Sequence, residues 1–401
     1  MCLQGEGKLP SGSKRILFLI RNIGDYHAPR LIRFQRNALE AGHQFLVIEA
    51  ADRSSLYTHR QTRTALLKQC IQHISLHSAG SLDILRKLTP EISQYKPDVI
   101  FTIGYSDAIA LCGLAMGKAL GAHVFFLADS KADDQPRHAL REAIKARILR
   151  CFHGALVAGE RHKSYFASLG VKPQSIQLGY DVIDNEYFAL RAARFRGKAS
   201  LVNSLGVVPS RYVLLVSRLI PRKRVDRALE IYAASRLPAS QVKLVIIGQG
   251  PEQNRLQQQV QASGLLENVL FRREVKSTMM PLFYAFADAL LLTSEYDQWG
   301  LCVNEAMACG TPALVTSRCG CAGEIVLHEI NGFVWDGVST QTGATLLDRL
   351  VLQQATRQRF SAAAIQTMNQ WGLARFATAA MNLVDCVDAS PAQDQGQRGQ
   401  P

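Results

Sequence analysis

Apolar and polar positions along the chain alternate between short apolar runs and longer stretches of helical spacing. Arg15–Ile20 is an apolar run, followed by Asn22, Ile23 and Gly24, a helical pattern from about Pro29 to Ala41 closed by Gly42, and a second run at Phe45–Ile48. That order predicts strand, turn, helix, strand. It recurs with Val99–Ile103, the small-residue helix Ala108–Leu120, Val124–Leu127, a long basic helix around Pro136–Cys151, and Gly154–Val157. Strands alternating with helices imply a parallel sheet covered on both faces.

After Asp184–Phe188 the pattern changes. Arg191–Ser200 is rich in Arg and Ala with Phe195 as its one large apolar residue, and predicts a link between domains. The alternation then restarts: Tyr212–Val216 as a strand, Val225–Ser235 as a helix, Val242–Ile247 as a strand with Gly248 and Gly250 after it, and Ala289–Leu292 as a strand before Ser294. The fold class expected is α/β, with two Rossmann-like doubly wound domains facing across a cleft, over residues 1–198 and 199–365. Ligands of such sheets sit beyond the C-terminal strand ends. A last helical pattern, about Ala362–Val387, carries Met368, Trp371, Phe376, Met381 and Leu383, so residues 366–388 are expected as a helical segment packing on the domains. The Gln-, Gly- and Pro-rich 389–401 is expected to be disordered.

Composition fits this architecture, since 401 residues with 47% hydrophobic and 20% charged are enough for two cores. No apolar run approaches the roughly 20 residues of a membrane span, and Met1–Lys14 lacks the apolar stretch of a signal peptide, so a cytoplasmic location is expected. Nine cysteines without paired spacing read as reduced thiols, Cys319 and Cys321 included. Charge is uneven: residues 1–200 hold 28 Lys and Arg against 17 Asp and Glu, whereas 201–401 hold 18 against 16. A positive first half attracts anionic partners or simply stays solvated. Arg137, Arg141 and Lys145 recur every fourth residue as one basic stripe and Arg30, Arg33 and Arg36 form another cluster; such stripes can contact anionic membrane. Nucleic acid is not an expected partner, because no aromatic-basic interleaving accompanies the charge.

The segment Ser294-Glu-Tyr-Asp297-Gln-Trp-Gly300-Leu-Cys-Val-Asn-Glu305 places two carboxylates eight positions apart across a glycine turn. The first follows a strand and the second lies in the opening turns of a helix, where the backbone N–H groups of Gly300 and Leu301 can bind a diphosphate. Two carboxylate oxygens also match the vicinal hydroxyls of a ribose. This segment resembles the retaining nucleotide-sugar glycosyltransferases of family 4, whose GT-B fold is two facing Rossmann domains and whose signature is a Glu, seven residues, then a Glu. Here the pair is Asp297 and Glu305, the first a shorter acid. The resemblance implies that Glu305 holds the ribose and Asp297 the donor sugar or its phosphate.

Ser217-Arg218-Leu-Ile-Pro-Arg-Lys223 resembles the same family's Arg, four residues, Lys element. Two cations in a strand-to-helix loop stabilise a bound diphosphate, and more strongly the charge that grows on it as the glycosidic bond breaks. Gly248-Gln-Gly250 fits the family's glycine-rich turn. The likeness covers residues 211–337 closely and the first half more loosely, where Gly24 sits at the family's close approach to the donor phosphate. Asp129 aligns with a family His that contacts the acceptor or donor sugar, and can orient an acceptor hydroxyl, take its proton, or cap the following turn. Together these imply a glycosyltransferase that needs no metal or other cofactor, using a nucleotide-sugar donor and a sugar or lipid-linked acceptor of the cell envelope. A sugar-nucleotide epimerase of the same fold and a non-catalytic sugar-nucleotide-binding subunit are the alternatives.

Overall fold

The structure, a computed structural model, describes residues 12–49, 71–73, 81–273 and 275–387, so the tail expected at 389–401 lies outside the described residues. The first half runs β1 (Arg15–Ile20), α1 (Gly24–Glu40), β2 (Gln44–Glu49), β3 (Ile71–His73), α2 (Ser81–Tyr95), β4 (Val99–Ile103), α3 (Ala108–Leu120), β5 (His123–Ala128), α4 (Ala139–Leu149), β6 (Gly154–Val157), α5 (Glu160–Ser168) and β7 (Ile176–Leu178). Among the described residues these strands form one sheet in the order β3-β2-β1-β4-β5-β6-β7. The pairings are parallel.

The second half runs α6 (Asn185–Arg196), α7 (Ala199–Ser204), β8 (Tyr212–Val216), α8 (Val225–Ala234), β9 (Lys243–Ile247), α9 (Gln253–Ala262), β10 (Val269–Arg272), α10 (Met280–Phe286), β11 (Ala289–Leu292), α11 (Leu301–Ala308), β12 (Ala313–Thr316), β13 (Gly332–Trp335), α12 (Thr340–Leu352), α13 (Gln354–Met368) and α14 (Leu373–Asp385). Its strands lie parallel in the order β10-β9-β8-β11-β12-β13.

The apolar runs are continuous because both faces of each sheet are covered. Ile16, Phe18 and Ile20 of β1 enter one apolar cluster, and Leu17 and Leu19 enter another on the opposite face. The same division separates Tyr212 and Leu214 from Val213 and Leu215 in β8. The cluster containing Ile16 extends through Tyr180, Tyr284 and Trp299 into the second half, so the two sheets share a buried apolar body.

Three expected elements differ. Helix α1 begins at Gly24 rather than near Pro29, which sits inside the helix and forgoes one backbone hydrogen bond. The expected link at Arg191–Ser200 is helical: α6 packs on α10 and α11, with the Arg196 guanidinium donating to the carbonyls of Ala285 (3.0 Å) and Cys309 (2.6 Å). The last helical pattern is two helices, α13 and α14, parted around Asn369–Gly372. There Asn185 Nδ2 donates to the carbonyls of Met368 (2.6 Å) and Trp371 (3.1 Å). Helix α14 then returns to pack on α1, and Lys14 Nζ donates to Val384 O at 2.7 Å. Among the described residues no helix is long and apolar enough to cross a membrane.

Candidate active site

In each sheet the strand order reverses once, between β1 and β4 and between β8 and β11, and the loops after those strands part to leave a crevice. Gly24 lies just after β1, and Asp129 directly follows β5. Arg218 and Lys223 follow β8, and Asp297, Gly300, Leu301 and Glu305 follow β11. Eight positions, apart by more than 200 residues at the extremes, thus gather at facing sheet edges.

The second-half loops are held together by backbone contacts. Thr293 Oγ1 donates to Arg224 O at 2.9 Å, and Glu295 N donates to Arg222 O at 2.8 Å, so the β8 loop lies on the β11 loop. Lys223 Nζ consequently reaches Asp297 Oδ2 and pairs with it. Ser294 Oγ donates to the same oxygen at 3.3 Å. The expected clamp is therefore divided: Lys223 is engaged by Asp297, whereas the Arg218 side chain is exposed. Gly248 and Gly250 permit this packing, since a Cβ on either would lie 1.8 Å from Ser217 O or 2.2 Å from Leu219 O. Gly300 caps α11 at φ 108°, a conformation that favours glycine, and the first amides of α11 have no carbonyl of their own helix to bond.

Glu305 is nearly buried, and both its oxygens accept tyrosine hydroxyls. Tyr284 donates to Oε2 at 2.6 Å from α10, and Tyr26 donates to Oε1 at 2.8 Å from α1 of the opposite half. Tyr26 thus closes the crevice over the residue expected to hold the ribose.

The first half supplies Asp129, named from the sequence, and a second carboxylate, Asp181, that sequence reading missed. Asp181, after β7, is buried with Arg30, whose guanidinium lies 3.3 Å from Asp181 Oδ1, donates to Val182 O at 2.8 Å and covers the Tyr180 ring at 5.0 Å. Burial, with the Asp297 charge, raises Asp181 to about 6 despite Arg30. Asp129 is raised to about 7 by burial and then by the charges of Asp181, Asp134 and Asp297. Its carboxyl therefore changes protonation near neutral pH. Nothing local in the sequence marks Asp181, because it joins Asp129 and Asp297 only through the fold.

The two basic clusters are corrected in part. Arg30 is 1% exposed and ion-paired, so it belongs to the buried network and not to a surface patch with Arg33 and Arg36. Arg137 precedes α4 and so falls off the helical stripe. It donates to Ala132 O at 2.9 Å, lies 4.5 Å over the Tyr165 ring and shares Glu142 with Lys145. Arg141 is exposed.

Helix α5 ties the halves together. Glu160 N donates to Glu324 Oε1 at 2.6 Å, and Arg161 donates to Ser317 O at 2.9 Å and pairs with Asp133 at 2.6 Å. His162 Nδ1 accepts from Gly159 N at 3.2 Å while Nε2 sits 2.9 Å from Gln298 O, the residue beside Asp297. Burial lowers His162 to about 4, so the neutral ring donates to Gln298. Asn304 Nδ2 adds a bond to Asp181 O at 3.2 Å, and Trp299 Nε1 holds Asn304 Oδ1 at 2.9 Å. Among the described residues, no group of three or more His, Cys, Asp or Glu is placed to hold a metal. The seven described cysteines are free thiols.

Residues 203–367 match the family model described as glycosyl transferases group 1. That segment runs from before β8 into the last turn of α13 and contains Arg218, Lys223, Asp297, Gly300, Leu301 and Glu305, the residues the sequence marks as candidates for a donor site. Among curated proteins, the GDP-mannose-dependent alpha-(1-6)-phosphatidylinositol monomannoside mannosyltransferase of Mycolicibacterium smegmatis is 33% identical over 148 residues, 34% of this chain and 38% of that protein. The N-acetyl-alpha-D-glucosaminyl L-malate synthase of Bacillus anthracis is 32% identical over 176 residues, 43% of each chain. The chain spans less than half the length of these curated relatives. Anabaena HepE, solved in complex with UDP and glucose, superposes with a TM-score of 0.74 at 19% identity, across 93% of this chain and 100% of that one. The fold is therefore GT-B: two Rossmann-like units facing across a crevice.

Proposed function

We propose that this chain transfers a sugar from a nucleotide-diphosphate-sugar donor, held by the second half, to an acceptor held against the first, with retention of anomeric configuration and without a metal. The observation that carries the reading is the convergence of Asp297, Lys223 and Glu305 with the opening of α11 at the strand-order reversal of the second sheet, facing Asp129 across the crevice. The group 1 match over the same segment supports it, and relatives with transferase and synthase names favour transfer over epimerisation.

Each group has a physical task. The amides opening α11, with Arg218, receive the diphosphate, and Lys223 can turn from Asp297 to it as negative charge accumulates on the leaving group. Glu305 accepts the ribose hydroxyls, which requires Tyr26 to give up Oε1. Tyr284 keeps the other oxygen oriented. Asp297, once free of Lys223, is placed to accept hydroxyls of the transferred sugar. Asp129, near half-ionised at neutral pH, orients the acceptor hydroxyl or takes its proton. The acceptor is read as a lipid-linked or cell-envelope glycan. Supporting this, α4 exposes Leu140 and Ile144 beside Arg141 and Arg147, an apolar and cationic face suited to anionic membrane.

The test uses water as a surrogate acceptor. The chain is incubated with a panel of nucleotide sugars, and proton NMR follows the anomer first released. Release of the donor's own anomer supports retention, the opposite anomer refutes it, and an epimerised nucleotide sugar refutes transfer. Replacing Arg218 and Lys223 together by Ala should lower the rate more than donor affinity, because charge on the diphosphate increases as the bond breaks.

A further inference from the structure

Beside the acid groups lies a second feature that the donor chemistry does not use. A cavity of about 390 Å3, within the range of small-molecule sites, opens between the two halves. Ser130, Asp134, Arg137 and Lys145 line it from the first half; Arg222, Tyr296 and Gln298 line it from the second. Ser130 adjoins Asp129, and Tyr296 and Gln298 flank Asp297, so the cavity abuts the groups assigned to sugar transfer. Arg218, Lys223 and Gly300 do not line it.

Its charges do not cancel. Asp134 is spent on Lys131, 3.0 Å away and itself buried, and Lys131 also meets Asp133 at 2.9 Å, which pairs with Arg161. Those four groups sum to zero. Arg137 and Lys145 share one carboxylate, Glu142, at 3.7 and 2.8 Å. Arg222 lies over the Tyr296 ring at 5.2 Å and has no carboxylate partner among the described residues. Two positive charges are thus left over in a recess between low-dielectric walls, where they attract an anion more strongly than on open surface. An excess of two matches a phosphate ester, and the planar guanidinium of Arg222 can donate two parallel hydrogen bonds to its oxygens.

We infer that this cavity receives a phosphate ester carried by the acceptor, holding it so that the acceptor's hydroxyl meets Asp129. The inference rests on the glycosyl-transfer reading and deepens it by naming the acceptor's chemistry. The phosphate belongs either to a soluble sugar phosphate or to a lipid headgroup, and the cavity serves the same chemistry in both.

Calorimetric titration of the full chain tests it. Glucose 6-phosphate is compared with glucose, and vesicles containing phosphatidylglycerol with vesicles of phosphatidylcholine; a thermal-shift series with UDP, GDP and ADP runs in parallel. The expected result is binding of one phosphate-bearing probe at least about tenfold tighter than its uncharged or zwitterionic control. That advantage should fall by about tenfold in Arg222→Gln and again in Lys145→Met, while nucleoside diphosphate affinity stays within about twofold. Preference for glucose 6-phosphate marks a soluble acceptor, and preference for phosphatidylglycerol a lipid one. Nucleoside diphosphate binding with neither preference, or with preferences insensitive to both substitutions, overturns the inference and leaves the transfer reading standing. Loss of nucleoside diphosphate affinity in Arg222→Gln reassigns the cavity to the donor. No stabilisation by any nucleoside diphosphate overturns the transfer reading itself, and this inference with it.

Discussion

The two sides of the crevice are built differently. On the second side Arg218 to Lys223 and Asp297 to Glu305 are two short segments, each in one loop, and they touch through the Lys223–Asp297 pair. On the first side Tyr26 and Arg30 of α1, Asp129, Asp181 and His162 come from four separate segments and are held by burial and by hydrogen bonds and ion pairs across the fold. The second half is nearly neutral, with 18 Lys and Arg against 16 Asp and Glu over residues 201–401. The first side carries the basic excess of the sequence, but Arg30 adds nothing to it, because its charge is matched by the buried Asp181. A basic cluster read along a chain thus overstates what is offered to a partner, since it counts paired interior groups with exposed ones.

Substitutions on the two sides should separate accordingly. The largest effect is expected from Glu305→Ala, which removes both oxygens of the carboxylate proposed to accept the ribose hydroxyls. Donor affinity, measured by calorimetry, should fall by about 100-fold and turnover should vanish, with circular dichroism near normal. Unchanged donor affinity would take Glu305 out of the site.

On the first side, Arg30→Ala leaves Asp181 buried without its cation, to be carried as an uncompensated charge or protonated at a cost. Denaturant unfolding should show a loss of about 3–5 kcal/mol, against under about 0.5 kcal/mol for the exposed Arg36→Ala. Equal small losses would return Arg30 to the surface cluster.

The next effect concerns pH, where two first-side groups act with opposite signs. His162 is lowered to about 4, so the unfolded chain binds the proton first. Its contribution is present above about pH 6.5 and is lost as pH falls towards 4, at up to about 1.4 kcal/mol per unit. Asp129 is raised to about 7, so its folded form keeps the proton longer and its contribution declines as pH rises from about 4 to 7. Asp129→Asn should therefore stabilise the protein at pH 8 by on the order of 1–2 kcal/mol, discounted for partial exposure, while depressing turnover. His162→Gln should flatten the acid limb of a stability profile. A profile unchanged by either variant would refute the assigned protonation states.

The smallest effect is expected where the sides meet. Tyr26→Phe removes the hydroxyl that occupies Glu305 Oε1, and donor affinity should rise by about two- to fivefold, since a hydrogen bond between the halves no longer competes with the ribose. A fall in affinity would instead make Tyr26 a direct donor contact.

Much of the architecture was legible in the sequence. The strands Arg15–Ile20, Val99–Ile103, Tyr212–Val216 and Ala289–Leu292 stand where the apolar runs place them, because a strand buried on both faces must be apolar throughout. The position of the second-side loops was legible too, since the residues of a strand-to-helix turn are neighbours along the chain. Helical pattern misled where packing governs: Arg191–Ser200 looks like a link because α6 is Arg-rich, yet those arginines reach carbonyls of the next layer.

By itself, the sequence determined two successive parallel sheets and the placing of an acid pair and a cation pair on the edge of the second, because hydrophobic period and loop chemistry are local properties. Only the tertiary structure decided that Lys223 faces Asp297, that Tyr26 closes on Glu305, that Arg30 lies inside against Asp181, and that Asp129 changes protonation near neutral pH. Those outcomes depend on burial and on charges brought together from distant segments, 151 residues apart for Arg30 and Asp181 and 74 for Lys223 and Asp297. Hydrophobic pattern carries no record of such distances, whereas an ion pair in a low-dielectric interior depends on little else.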